Sequence, residues 1–322
     1  MILFLICARL HWQPLCSDCG IADDIYSEEF LNSTMFPGDF TNFEFDSISE
    51  FAGSGHFSHV KKQYLKDGTT VAVKEMHIVN QGALNRELKA LKVLENVPNT
   101  IKLLGVMGNE THPSLVYSYH KSTDYAYTNM TLADFRWWLK TLLETLSEIH
   151  ELGVIHRDLS LQNILTDLEE RKLTIIDFGL AELNRRRASN TGRPGCVRLK
   201  APEMIINYPF YDCSSDMWSV GLACLDVMIG LTMNWDASTI SEITQQVKQY
   251  FGSERWNSFV SVYNASLITR SNYTGDIFEL AMPMRYNLVN ADSLDLVEQM
   301  LELDPKKRIS AKKALQHRFF SV

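Results

Sequence analysis

The spacing of apolar positions changes about a third of the way along the chain. From Phe43 to Val73 short apolar runs alternate with polar residues, the two-residue repeat of strands. Within "VKKQYLKDGTTVAVKEM" the pair Asp67-Gly68 separates two such runs and predicts a hairpin. From Ala83 to Val97 the leucines 84, 88, 91 and 94 recur at helical spacing, and "SLVYSY" is a short apolar strand. Helical patterns dominate after that. "LADFRWWLKTLLETLSEIHELG" puts Phe135, Trp138, Leu139, Leu142, Leu146 and Ile149 on one face and stops at Gly153. "SSDMWSVGLACLDVMIG" is apolar on most sides, which predicts a buried helix. "LDLVEQMLELDPKKRISAKKALQHRFF" reads as two helices around a proline-containing turn. Strands first and helices second predict an α+β protein, a small sheet-rich lobe followed by a larger helical one. Residues 1–42 show no clear period, and the acidic "SDCGIADDIYSEEF" reads as a loosely packed, partly disordered extension ahead of a domain over 43–320.

Composition narrows the partners. The chain has 322 residues, 45% apolar and 22% charged, enough for a sizeable core in two lobes that share a cleft. A net charge of -8 argues against a nucleic-acid binder. The opening run "MILFLICARL" is shorter than the roughly 20 residues of a membrane span and has no basic residue before it. An intracellular protein is the expectation, with a cleaved signal segment and secretion as the alternative. Six scattered cysteines make no disulfide framework, and Cys213 and Cys224 lie in apolar-rich sequence expected in the core. Cys7, His11, Cys16 and Cys19 resemble a zinc site only loosely, because the spacing is wide and no second pair follows.

Five short stretches carry chemistry. "GSGHFSHV" lies between two strand patterns, where Gly53 and Gly55 let backbone N–H groups approach phosphate oxygens. "VAVK" ends an apolar strand at Lys74, whose burial demands an anion, and Glu87 stands on the helix that follows. In "VIHRDLSLQNIL", Asp158 can accept a proton from a hydroxyl, and Asn163 offers a neutral oxygen to a cation. In "IIDFGLAE", Asp177 is a charged oxygen ligand suited to Mg²⁺. "APE" at 201–203 and "DMWSVG" from Asp216 complete the order. Singly, each reads equally well as a hairpin turn, a surface lysine, a loop aspartate or a helix cap; together and in order they do not.

With these motifs the chain resembles the eukaryotic protein kinases over about residues 43–320. The resemblance implies a bilobal kinase fold with the small lobe at about 43–116, a hinge at 117–122 and the large lobe at 123–320. It implies ATP and Mg²⁺ as cofactors and a protein substrate with a serine or threonine. It makes Asp158 the catalytic base, pairs Lys74 with Glu87 and gives the metal to Asn163 and Asp177. Glu203 is then paired with Arg308, and Asp216 braces the catalytic loop. More narrowly, "PSLVYSYHKSTDYAYTNMTLADFRWWLKTLLETL", "NILTDLEERKLTIIDFGLAEL" and "VRLKAPEMIINYPFYDCSSDMWSVG" resemble the casein kinase 2 catalytic-subunit family. That likeness implies nucleotide contacts from Gly53, Ser54, Gly55, Ser58, Val60, Ala72 and Ile176. It makes Tyr117 the gatekeeper and Ser118, Tyr119 and His120 the hinge that binds adenine. It also implies a regulatory subunit and a cationic substrate segment, here Arg193, Arg198 and Lys200.

The chain departs from that family at several positions. Phe178 stands where a tryptophan is usual, and "VNQGALNRE" lacks the lysine-rich run before the helix glutamate. In the substrate segment the middle cation falls on Val197, with Arg198 beside it. Ser160 stands where kinases carry a lysine that neutralises the transferring phosphoryl group, and Gln162 supplies no replacement. Loss of one such cation costs on the order of 2–4 kcal/mol, or roughly thirty- to a thousandfold in rate. A slowed kinase is the expectation, with a nucleotide-binding scaffold as the alternative.

Overall fold

A computed structural model of the chain describes residues 15–35, 40–54, 58–109, 111–123, 127–186, 200–208, 210–229, 239–263, 273–275 and 287–321. Two short helices, α1 (Ala22–Ile25) and α2 (Glu28–Asn32), precede the sheet. The small lobe holds strands β1 (Phe45–Ser54), β2 (Ser58–Leu65) and β3 (Thr70–Met76), helix α3 (Gln81–Val93), and strands β4 (Leu103–Asn109) and β5 (His112–Ser118). These strands form one antiparallel sheet in the order β1-β2-β3-β5-β4. The hairpin expected at Asp67-Gly68 joins β2 to β3. Gly68 takes a φ of 87°, and the Asp67 carboxylate accepts a hydrogen bond from the Thr69 backbone N–H at 2.8 Å.

Strand alternation gives the sheet two unlike faces. Val71, Val73 and Val116 are buried on one, against Phe43, Phe45, Leu65 and Met107. Leu115 and Tyr117 belong to the main core on the other face, with Ala72 packed against it. Helix α3 docks with Leu84, Leu88, Leu91 and Leu94, the leucines that its sequence spacing put on one side.

The large lobe begins with α4 (Leu132–Glu151), where Thr131 and Asp134 form a reciprocal cap. All six residues assigned to its apolar face are fully buried. Three short pieces of strand follow the helix: β6 (Val154–Ile155), β7 (Ile164–Asp167) and β8 (Lys172–Ile175). The two-residue strand β9 (Glu182–Leu183) pairs with β6, and β7 pairs with β8. Beyond them lie α5 (Pro202–Ile205), α6 (Ser214–Ile229), α7 (Ile240–Phe251), α8 (Ser253–Val262), α9 (Ala291–Met300) and α10 (Ala311–Ala314). As its composition predicts, α6 is buried over nearly all of its described length. The lobes are joined beside β8, where the Ile101 N–H donates to the Ile175 carbonyl at 2.9 Å. The Ile175 N–H in turn donates to the Asn99 carbonyl at 2.8 Å, which fixes the strand that leads to Asp177.

Residues 15–35 differ from the loose extension that the sequence suggests. Cys16, Cys19, Ala22 and Leu31 are buried. The Gly20 N–H donates to the His150 carbonyl at 2.7 Å, and the Ala22 N–H donates to the Asn184 carbonyl at 2.7 Å. A side chain at Gly20 would collide with the Glu151 carbonyl oxygen at 2.1 Å, so this approach requires glycine. Asp23 and Asp24 pair with Arg185 and Arg186. The acidic residues that made the segment look solvated are complementary to cations more than 150 positions away, a match that local patterning does not reveal.

Candidate active site

The sheet register places the first half of the site. Val60 lies opposite Lys74 between β2 and β3, and Ala72 lies opposite Tyr117 between β3 and β5. Ala72 and Lys74, two residues apart, share the face that looks toward the large lobe. Gly53, at the end of β1 opposite Val60, has open space where a Cβ would project. Ser54 is the last residue of β1, and buried Ser58 starts β2. Gly55, between them, lies outside the described residues.

Lys74 is the centre of the arrangement. Its ammonium donates to Glu87 Oε1 at 2.8 Å and to Asp177 Oδ1 at 2.9 Å. Burial pulls the lysine pKa down, but the two carboxylates outweigh it and hold the ammonium above its ordinary value. The same pairing keeps the Asp177 carboxyl below the usual range, although the cleft walls around this half-exposed group partly desolvate it. The phenol of Tyr117 also donates to Glu87 Oε1, at 2.7 Å. A side chain at Gly179 would crowd Asp177 Oδ1 at 3.1 Å and Glu87 Oε2 at 3.4 Å, so this glycine lets the two acids approach.

The second half of the site is built on α6. Fully buried Asp216 accepts the His156 backbone N–H and the Arg157 backbone N–H at 2.8 Å each, and pairs with His150 Nε2 at 3.0 Å. These contacts stabilise Arg157 at a φ of 68°, a left-handed conformation unusual for a bulky residue. The Arg157 guanidinium pairs with Glu182 and donates to the Tyr211 hydroxyl at 2.6 Å and the Leu180 carbonyl at 2.6 Å. Buried His156 accepts the Asp158 backbone N–H at Nδ1, which leaves Nε2 to donate to the Ile176 carbonyl at 3.0 Å. This fixes the neutral tautomer and turns the loop so that Asp158 faces Asn163. The Asn163 amide donates to Asp158 Oδ2 at 2.9 Å and to the Asp158 carbonyl at 2.8 Å. Burial first, and the nearby Asp177 charge second, raise the Asp158 carboxyl above the ordinary aspartate range.

Among the described residues, three oxygens here accept no hydrogen bond: Asp158 Oδ1, Asn163 Oδ1 and Asp177 Oδ2. Asp177 is also left-handed, at a φ of 59°. One charged and one neutral oxygen suit magnesium, which takes few protein ligands and completes its shell with phosphate oxygens and water. The chemistry of the donor set therefore fits a magnesium–nucleotide group. No cluster of three or more His, Cys, Asp or Glu among the described residues holds a metal by itself. Cys7 and His11, half of the loose zinc pattern, lie outside the described residues.

The protein kinase domain model matches residues 47–320. The chain belongs to the protein kinase family. Its sheet-rich first part and helical second part are the bilobal α+β fold that the motif order led us to expect. Family members are phosphotransferases that act on proteins and generally use ATP and Mg²⁺. The Glu203–Arg308 pair is present and bidentate, at 2.9 Å on both arms, with both side chains fully buried. Arg308 also donates to the Ser214 carbonyl at 2.8 Å and so ties α5 to α6.

The remaining expected positions divide. Ser118, Tyr119 and His120, expected to form the hinge, follow Tyr117 at the end of β5, and Ile176 is partly buried beside Asp177. The His120 ring hydrogen-bonds with the Ser118 hydroxyl and the Thr174 hydroxyl at 3.0 Å each, so this segment is held to β8 by a contact that sequence patterning did not suggest. Arg193 and Arg198 lie outside the described residues. Lys200 was expected to present a cation to a substrate, but it is buried beside Ala201, the residue that opens α5. Ser160 donates its backbone N–H to the Asp158 carbonyl at 3.0 Å and accepts from the Asn163 backbone N–H at 3.0 Å. Its hydroxyl caps nothing. Among the described residues no lysine or arginine pairs with Asp158. Among the described residues no helix is long and apolar enough to cross a bilayer.

Proposed function

We propose that the chain is an ATP- and magnesium-dependent serine/threonine protein kinase, similar to casein kinase 2 and slowed by Ser160. The observation that carries this reading is the ion triangle of Lys74, Glu87 and Asp177, with Asp158 and Asn163 hydrogen-bonded beside it. Lys74 orients the nucleotide's α- and β-phosphates while Glu87 holds the ammonium in place. Asp177 and Asn163 hold the metal, which when bound neutralises charge on the phosphates. Asp158 takes the proton from the substrate hydroxyl, and its elevated pKa brings it closer to the strength a general base needs. Val60, Ala72 and Ile176 would supply the apolar walls for the adenine ring, and the Ser118–His120 backbone its hydrogen bonds. Gly53, Ser54, Gly55 and Ser58 cover the phosphates.

Single-turnover transfer from ATP to a peptide array of acidic, basic and proline-directed serine sequences tests the reading. Slow but measurable transfer that needs magnesium supports it. Nucleotide binding with no transfer at high enzyme concentration overturns it in favour of a scaffold, the reading that Ser160 itself favours. We assign contact with the substrate to Arg193 and Arg198, without the buried Lys200, and the acidic arm of the array reads whether these two cations select acidic peptides. A regulatory subunit and an intracellular location belong to the same proposal.

A further inference from the structure

Two cysteines near the start of the chain and a third far along it meet at the start of α6. Cys19 and Cys213 are disulfide-bonded, with their α-carbons 5.9 Å apart across 194 positions. This separation is normal for a disulfide. Cys16, at C-x-x-C spacing from Cys19, is free and belongs to the same buried cluster. The surrounding hydrogen bonds fix both chains. The Cys16 N–H donates to Asp212 Oδ2 at 2.8 Å, and the Asp212 Oδ1 atom accepts the Ser214 N–H at 2.9 Å. The Cys213 N–H and the Asn184 amide each donate to Cys19 Sγ at 3.3 Å.

The linked segments bear on the site already described. Cys213 directly precedes α6, which carries Asp216. Cys19 belongs to the docked segment 15–35. The far end of that segment touches α3: the Leu31 carbonyl accepts from the Lys89 ammonium at 2.8 Å, and the Met35 N–H donates to Asn85 Oδ1 at 2.5 Å. Helix α3 also carries Glu87.

We propose that Cys19 and Cys213 form a reversible oxidation site that staples segment 15–35 to the start of α6 under a hydroperoxide and releases it under a dithiol. In an intracellular protein a disulfide is more often a sensor than a permanent strut. The chemistry balances. The Cys19 thiolate attacks one peroxide oxygen, giving a sulfenic acid and hydroxide; Cys213 sulfur displaces the sulfenic hydroxyl, and the thiol protons convert both hydroxides to water. The two sulfurs lose two electrons and the peroxide gains them. A dithiol reverses this by attack on one sulfur and closure of its own disulfide. Burial, and next to it the Asp212 charge, push the Cys16 thiol up to about 11. While the segment is docked, Cys16 is therefore protonated and does not attack the staple.

The test uses the full chain, equilibrated with hydrogen peroxide or dithiothreitol, alkylated and mapped by mass spectrometry, with amide hydrogen exchange in parallel. The expected result is a Cys19–Cys213 linked peptide after peroxide, reversed by dithiothreitol and retained in Cys16→Ser. Exchange across residues 15–35 slows on the order of ten- to a hundredfold on oxidation, because the bond shortens the tether and raises the segment's effective concentration at its docking site. The reduced wild type is the reference, so no buried substitution must fold for the comparison to stand. Both thiols remaining alkylatable after peroxide, or a linked peptide with unchanged exchange, overturns the proposal. A further consequence, faster phosphate transfer by the oxidised form through the α3 contacts, rests on the kinase reading. If neither form transfers phosphate, that reading fails while the thiol map still decides the staple.

Discussion

Ser160→Lys isolates the electrostatic contribution that this loop lacks. Both hydrogen bonds of Ser160 come from its backbone, to Asp158 and from Asn163, and its hydroxyl caps nothing, so the substitution leaves the loop scaffold intact. The new ammonium stands two residues from Asp158, whose carboxyl is raised by burial and by Asp177. Two effects follow from one charge. Stabilising the developing phosphoryl charge by about 2–4 kcal/mol raises the transfer rate roughly thirty- to a thousandfold. A cation within about 4–6 Å of Asp158 also lowers its pKa by about 1–3 pH units. In the wild type, activity falls as the pH drops through the raised Asp158 value, because the protonated acid cannot accept the hydroxyl proton. In the variant, that acid limb lies lower. Single-turnover transfer measured from pH 4 to 8, with ATP affinity from a parallel titration, reads both effects. A folded variant with normal ATP affinity, an unchanged rate and an unmoved acid limb refutes the reasoning.

Other perturbations probe the supports. Arg308→Met leaves the Glu203 carboxylate buried without a partner and is expected to cost about 3–5 kcal/mol, read as a melting point lower by about 10 °C. Tyr117→Phe removes the phenol bond to Glu87 and is expected to lower stability by about 1.5–3 kcal/mol in a denaturant titration; an unchanged midpoint and slope would show that the bond adds nothing. Asp216 has a depressed pKa in the fold, where its bonds to His150 and the loop backbone outweigh burial. Its contribution is present above the unfolded aspartate value and is lost as pH falls through the lower folded value, so Asp216→Asn should flatten the acid side of a stability–pH curve. Lys74→Met should abolish the thermal shift produced by ATP and magnesium, measured by scanning fluorimetry.

Periodic elements were legible in the sequence because a single face decides them. The leucines of α3, the six apolar positions of α4 and the all-round apolar α6 each carry their burial in their spacing. The Lys74–Glu87 pair was legible for another reason: a buried lysine needs an anion, and the following helix supplies one. Asp158 and Asn163 were legible from the order of the motifs, but the hydrogen bond between them was not. Short contacts over long sequence separations were not legible. The helices α1 and α2 have only four and five residues, too few for a period to show, and their partners Asn184, Arg185 and Arg186 lie far along the chain. The link from His120 to Thr174 was hidden in the same way, and the burial of Lys200 depends on surroundings that a local reading of the basic run does not include.

The bond between Tyr117 and Glu87 has a pharmacological consequence. A ligand of the proposed nucleotide site that leaves Tyr117 in place leaves it untouched. One that displaces the tyrosine must break a buried bond to a charged acceptor, at about 1.5–3 kcal/mol, a loss of roughly ten- to a hundredfold in affinity. Selective compounds for this protein should therefore be compact and gain their potency from the rim of the cleft rather than its depth.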